Sequence, residues 1–233
     1  MISTGHPYKT AKKTEVVDLE NSNDACNYLD NFPVEISFAV GGNLASTPII
    51  CGGELNDWDY SSSNKCFKYT KGGWQHYVTM REERRKAAGI VYDDAFHIFG
   101  GQDTIGYALQ SSELVRLDGT STEGPKLPSR IFHHAIAFIN STVSIITGGY
   151  TSTYRSQTWY FNHATQKFQY GPNLIKRRMW HSSGTITDHV TKEKIFIVAG
   201  GYFGVSGYTG SHLDSTEILL NGEWVAGKTD GQL

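Results

Sequence analysis

The chain has 233 residues, 21 Lys and Arg against 23 Asp and Glu, and a formal net charge of −2. A near-neutral chain has no overall field to draw it to nucleic acid or anionic lipid, so neither is expected as a partner. No apolar run approaches the roughly 20 residues that cross a bilayer, so no membrane insertion is expected, and the start MISTGHPYKT shows no apolar signal-peptide core.

The segments recur in one order along the chain. KTEVVDL (13–19) reads as a strand inside a short opening section, 1–31. An apolar run then closes as IICGGEL (49–55) and is followed by a polar loop, ELNDWDYSSSN (54–64). Next come the strand NKCFKYT (64–70), a turn at Gly72–Gly73, and a strand carrying Trp74. IFGGQDT (98–104) starts the same order again, with the loop QDTIGYALQ (102–110) and the strand SSELVRL (111–117). IITGGYT (145–151) leads to YTSTYRS (150–156), SQTWYFN (156–162) and a strand with Phe168. IVAGGYF (197–203) leads to YFGVSGYTGSHLD (202–214), STEILLN (215–221), an Asn221–Gly222 turn and Trp224.

The second glycines of the pairs, Gly53, Gly101, Gly149 and Gly201, are 48, 48 and 52 residues apart. A fixed period near 50 marks a repeat architecture. The turn pairs close hairpins, and no stretch holds a helical period. The charged REERRKAAG (81–89) comes nearest and runs straight into a strand. Each repeat therefore reads as four antiparallel strands. The paired glycines suit a backbone that must take positive φ or let a neighbouring strand approach.

The four Gly-Gly pairs in register, their period and the downstream aromatics resemble the Kelch repeat family over about residues 1–228. That resemblance implies an all-β, Kelch-type β-propeller with four complete four-stranded blades, at 32–75, 76–126, 127–173 and 174–227. Residues 1–31 are expected to be the outer strands of a partial blade, and 228–233 the start of a missing one. Kelch propellers usually have six blades, and six such repeats need roughly 290 residues. The expectation is therefore an incomplete ring, part of a longer propeller.

The loops after the second strand are long and rich in aromatics set among Gly, Ser, Asp and Thr, a mix that gives rigid contact area. Trp58, Tyr60, Tyr107, Tyr150, Tyr154, Tyr202 and Tyr208 are the candidate partner contacts there. The opposite loops, 118–124, 139–142 and 162–167, read as plain hairpin ends. At the start of each inner strand, REERRKAAG, SRIFHHAIA (129–137) and KRRMWHSSG (176–184) put Arg85, His133 and His181 at equivalent points, with Arg130 matching Arg178. The resemblance implies that such positions lie near a channel mouth, where they would grip acidic or polar groups. The competing reading has them bonding carbonyls of neighbouring blades.

No nucleophile triad, phosphate loop or metal-ligand spacing stands out, so no cofactor, metal or catalytic residue is expected. Cys51 and Cys66 fall on neighbouring strands of one blade, close enough for a disulfide. Buried thiols are the alternative, and Cys26 is expected to stay unpaired or to pair with something outside this chain. PIICGG…KCF and TEVVDLENSNDAC also resemble segments of extracellular invertebrate Kelch-like proteins, which favours a secreted setting and makes Asn140, in Asn-Ser-Thr, a candidate glycan acceptor.

The expected function is a non-catalytic module that binds a protein or peptide on one propeller face. The alternative is a carbohydrate-binding or galactose-oxidase-like protein, although the copper ligands of that enzyme have no matching motif.

Overall fold

A computed structural model describes residues 2–3, 12–16, 27–55, 60–187, 192, 194–204 and 210–227. The described chain is all-β, without helix. Three two-residue strands, β1 (Ile2–Ser3), β2 (Glu15–Val16) and β3 (Asn27–Tyr28), make a small antiparallel sheet. Four four-stranded antiparallel sheets follow. The first is β4 (Val40–Leu44), β5 (Thr47–Cys51), β6 (Lys65–Thr70) and β7 (Gly73–Thr79). The second is β8 (Ala88–Tyr92), β9 (Ala95–Phe99), β10 (Ser112–Arg116) and β11 (Ser121–Glu123). The third is β12 (Ala135–Phe138), β13 (Val143–Thr147), β14 (Thr158–Asn162) and β15 (Lys167–Tyr170). The fourth is β16 (Ser182–Thr187), β17 (Lys194–Ala199), β20 (Thr216–Leu220) and β21 (Glu223–Ala226). A small ribbon of β18 (Tyr202–Phe203) and β19 (Ser211–His212) interrupts it. These are the blades of a β-propeller-like fold. The predicted boundary at 75/76 is corrected, because β7 continues to Thr79.

The chain divides into two compact units, 1–126 and 127–233. In the first unit β4 packs on β8 and β9, and in the second β12 packs on β16. Within a unit, stacking of one blade on the next covers the facing side of the middle strands. β9 (Ala-Phe-His-Ile-Phe) is buried along its whole length, His97 included, and burial takes the pKa of that imidazole down to about 4. The outer strands β15 and β21 are mostly exposed.

The core of the first unit joins Val40, Leu44, Ile49, Val78 and Met80 of one blade to Phe96, Ile98 and Val115 of the next. Gly89 makes this packing feasible, because a Cβ there would fall 2.7 Å from the Phe96 ring. On the other face of the first blade, Trp74 packs edge-on against Phe32 and Tyr69. In the second unit Ile145, Leu174, Phe196, Val198 and Trp224 form the corresponding cluster.

The paired glycines have a specific task. In all four pairs both residues have positive φ, for example 66° and 102° at Gly52 and Gly53. The N–H of Gly53 donates to the Arg84 carbonyl at 2.8 Å, and that of Gly149 donates to the Arg178 carbonyl at 2.8 Å. In each unit, then, the pair at the end of a second strand grips the backbone of the following blade. A Cβ on Gly52 would lie 2.3 Å from the Arg84 oxygen, and one on Gly148 2.5 Å from the Arg178 oxygen, so only glycine permits the approach.

Candidate binding surface

Each blade enters its first strand through a corner with a residue at positive φ that is not glycine: Phe38 (52°), Lys86 (58°), His133 (55°) and Trp180 (58°). The residue just before each corner pairs with the loop after the second strand, as Ser37 with Glu54, Arg85 with Gln102, Phe132 with Tyr150 and Met179 with Tyr202. These pairings fix the equivalences and correct those expected from sequence. Arg85 matches Phe132 and Met179, His133 matches Lys86 and Trp180, and His181 matches His134. Arg178 matches Arg84, not Arg130, because Arg84 and Arg178 make the same set of bonds. A backbone bond explains the corner: Lys86 N–H donates to the Phe38 carbonyl at 2.9 Å and Trp180 N–H to the His133 carbonyl at 3.1 Å. Within each unit, successive corners are thus linked backbone to backbone, which holds a strained conformation in place and leaves the side chain free to vary.

In the first unit, Arg85 is buried and Nη1 donates to Glu54 Oε2 and to the Tyr60 carbonyl, both at 2.6 Å. Nε donates to Gln102 Oε1 at 3.2 Å. Arg85 was expected to offer its donors to a partner; it spends them on tying the first blade's loop to the second blade. Lys86 reaches Gln102 Oε1 at 3.0 Å and lies over the Phe38 ring. Burial, then the neighbouring Arg85 charge, lowers its pKa from the usual lysine value.

The tip of the second blade's loop faces outward. Ile105 is 81% exposed and Tyr107 65% exposed. The loop beneath them is fully tied: Tyr107 N–H donates to Asp103 Oδ1 at 2.8 Å, and Gln102 Nε2 donates to the Gly106 carbonyl at 2.8 Å. Thr104 donates to Glu83 Oε2 at 2.6 Å and accepts from Ser62 N–H at 2.9 Å. Tyr60, also exposed, has its ring 5.5 Å from the Arg85 guanidinium. Trp58, in the same loop as Tyr60, lies outside the described residues.

The second unit gathers rings. His133 meets Trp180 edge-on at 5.0 Å between centroids, and Trp180 meets Tyr202 at 5.5 Å. Tyr202 continues to His212 at 5.4 Å and to Tyr154 at 6.0 Å. Tyr154 touches Tyr150 and Phe203, and Tyr150 touches Phe132. Burial, with Tyr202 and Tyr150 close by, raises the Tyr154 pKa. Trp180 keeps half its surface exposed. Of the residues predicted here, Tyr150, Tyr154, Tyr202 and His133 come together, while Tyr208 lies outside the described residues. His181 does not join the surface: it is buried, and its Nε2 pairs with Thr147 Oγ1 at 2.8 Å. Burial, then the Arg178 charge, takes its pKa down to about 3, and burial does the same to His134. Both stay neutral.

Phe38, Lys86, Trp180 and Ile105 were not singled out from sequence. The corners escape notice because their positive φ is marked by no glycine. Each corner residue stands two residues before the first residue of its inner strand, an alignment visible only once the backbone bonds above set the blades in register.

Cys51 and Cys66 are directly opposed on β5 and β6 with Cα atoms 4.0 Å apart and sulfurs at disulfide distance, 2.06 Å. Among the described residues no group of three His, Cys, Asp or Glu is placed to hold a metal.

No family model and no curated protein matches the chain. Among solved structures, that of YjhT is similar over 93% of this chain and 77% of its own, with TM-score 0.80 and 12% identity. At that identity the likeness is one of fold.

Proposed function

We propose that this chain is a Kelch-type, non-catalytic binding module that engages a protein or peptide through the loops after the second strands. The observation that carries the reading is the second blade's loop tip, which holds Ile105 and Tyr107 in water on a backbone fixed by side-chain bonds. Exposing apolar surface this way has no benefit for folding. A pre-ordered loop loses little entropy on binding, and clustered aromatics supply hot-spot contact area. In the second unit the ring cluster around Trp180 offers a similar rigid surface.

The test is comparative capture. Partners recovered on the wild-type chain are identified by mass spectrometry, and their ratios are compared for Ile105→Ser/Tyr107→Ser and for Tyr170→Ser on an outer strand. Loss of about tenfold or more in affinity for the first variant, with Tyr170→Ser unchanged, supports the reading, since hot-spot residues carry about 2 kcal/mol or more. Equal capture by both variants refutes it.

The half-exposed Trp180 ring beside Tyr202 and His212 supports a second reading, stacking on a sugar ring. Glycan binding lost in Trp180→Ala while protein capture persists would favour it. The opposed cysteines support an oxidising compartment, and with it a secreted or cell-surface glycoprotein.

A further inference from the structure

The chain contains a single Asn-x-Ser/Thr triplet, Asn140-Ser141-Thr142. It forms the turn between β12 and β13, and Asn140 is exposed. The side chain is anchored by its carbonyl end. Asn140 Oδ1 accepts from the backbone N–H of Thr142 at 3.0 Å and of Val143 at 2.8 Å, and from the Thr142 hydroxyl at 3.3 Å. The amide nitrogen Nδ2 has no partner among the described residues, so it is the free end of a fixed group. The third residue of the triplet already touches the acceptor side chain through its hydroxyl. Independently, the opposed Cys51 and Cys66 suit a compartment where N-linked transfer takes place.

Position along the blade adds a consequence. β13 begins at Val143, beside the triplet, and ends at Thr147, from which the chain enters the Tyr150–Tyr154 loop. The triplet and the aromatic loop therefore lie at opposite ends of the same strand, roughly 15 Å apart at about 3.4 Å per residue.

We propose that Asn140 is an N-glycosylation site, and that its glycan covers the hairpin end of the third blade while leaving the aromatic loop open. In the transfer, Nδ2 forms a bond to the anomeric carbon of the first N-acetylhexosamine of a polyprenyl-diphosphate-linked oligosaccharide. The bond from that carbon to the phosphate oxygen breaks, the polyprenyl diphosphate leaves with the electron pair, and the displaced Nδ2 proton passes to the base of the transferase. The inference rests on the oxidising-compartment reading and not on which face binds a partner.

The full chain, led into the secretory pathway of a eukaryotic cell line, is collected from the medium and treated with an amide-cleaving glycosidase. The expected result is one discrete fall in mass, with Asp in place of Asn at position 140 in the peptide spectrum. Thr142→Ser should keep the modification, whereas Thr142→Ala and Asn140→Gln should lose it. The serine and alanine variants differ at one half-buried turn position, so a folding defect common to both cannot mimic the split. Bare Asn140 in secreted wild-type protein, or in protein retained in the cell, overturns the proposal. Thiol labelling of the same sample separates the two readings. A Cys51–Cys66 disulfide beside bare Asn140 sinks the site alone, while free thiols beside bare Asn140 sink the compartment reading as well.

Discussion

At the scale of single residues, the paired glycines and the buried histidines make the sharpest claims. Gly53 has φ 102°, and a Cβ there would fall 2.6 Å from Ile36 Cγ1 and 2.9 Å from the Ser37 oxygen. Gly222, in the β20–β21 turn, also has positive φ at 82°, but a Cβ there meets nothing within 4 Å. Gly222→Ala is expected to cost about 1 kcal/mol, the conformational penalty alone. Gly53→Ala adds a clash with packed backbone and should cost about 3 kcal/mol or more. Urea midpoints of the two variants check this ordering; equal losses would show that the close approach at Gly53 is soft.

His134 is buried with neither ring nitrogen hydrogen-bonded, and its pKa stands at about 3 against an ordinary 6.5. The unfolded chain therefore takes up this proton first as pH falls. The stability associated with the neutral ring is fully present above pH 6.5 and is lost progressively between 6.5 and about 3. His181 acts in the same direction over the same range. His134→Leu removes one such group and replaces it with a side chain that needs no partner. The variant is expected to gain on the wild type from about pH 8 to about pH 5 in urea denaturation. Parallel pH profiles would show that the ring is solvated or protonated in the folded state.

At the scale of elements, the blades are closed by a repeated ionic staple that periodicity did not reveal. Arg178 Nη1 donates to the Gly200 carbonyl at 2.6 Å and Nη2 to Glu217 Oε1 at 2.7 Å. The Glu217 carboxylate also accepts the N–H groups of Ile175 and Lys176. Arg84 repeats this with Gly100 and Glu113, whose carboxylate takes the N–H groups of Arg81 and Glu82. In each case a segment leading into a blade is held to that blade's third strand through one buried carboxylate. Removing one partner leaves the other charged and dry, so Glu217→Ala should cost about 3–5 kcal/mol. Arg178→Met/Glu217→Leu should cost less than the sum of the single changes, a coupling measurable in a double-mutant cycle. Strict additivity would mean that the two groups do not act as a pair.

At the scale of the molecule, four blades of one pattern carry different surfaces on equivalent loops. The first unit presents Ile105 and Tyr107; the second presents the rings around Trp180. Shared backbone bonds hold the frame, so the loop side chains can differ from blade to blade without cost to the sheets. The opposed cysteines fix one further whole-molecule property. In denaturant without reductant, Cys51 and Cys66 are expected to resist maleimide and to label fully after reduction. Labelling of both before reduction would return them to buried thiols and remove the case for an oxidising compartment.

The sequence by itself determined the repeat, the strand order and the Asn221–Gly222 turn, since these depend on local periodicity and on residues whose backbone preferences are intrinsic. It also put Cys51 and Cys66 on neighbouring strands of one blade, with disulfide and buried thiols both open; the register that opposes them is a finding of the structure. The tertiary structure alone decided which polar groups face water. Arg85 and His181 look from sequence like Trp180 and Lys86, polar or large residues just before an inner strand. One residue of offset at the corner, set by an inter-blade backbone bond at Lys86 and at Trp180, sends Arg85 into a pairing with Glu54 and leaves Trp180 half in solvent. That bond joins residues about 48 positions apart, and no local preference encodes it.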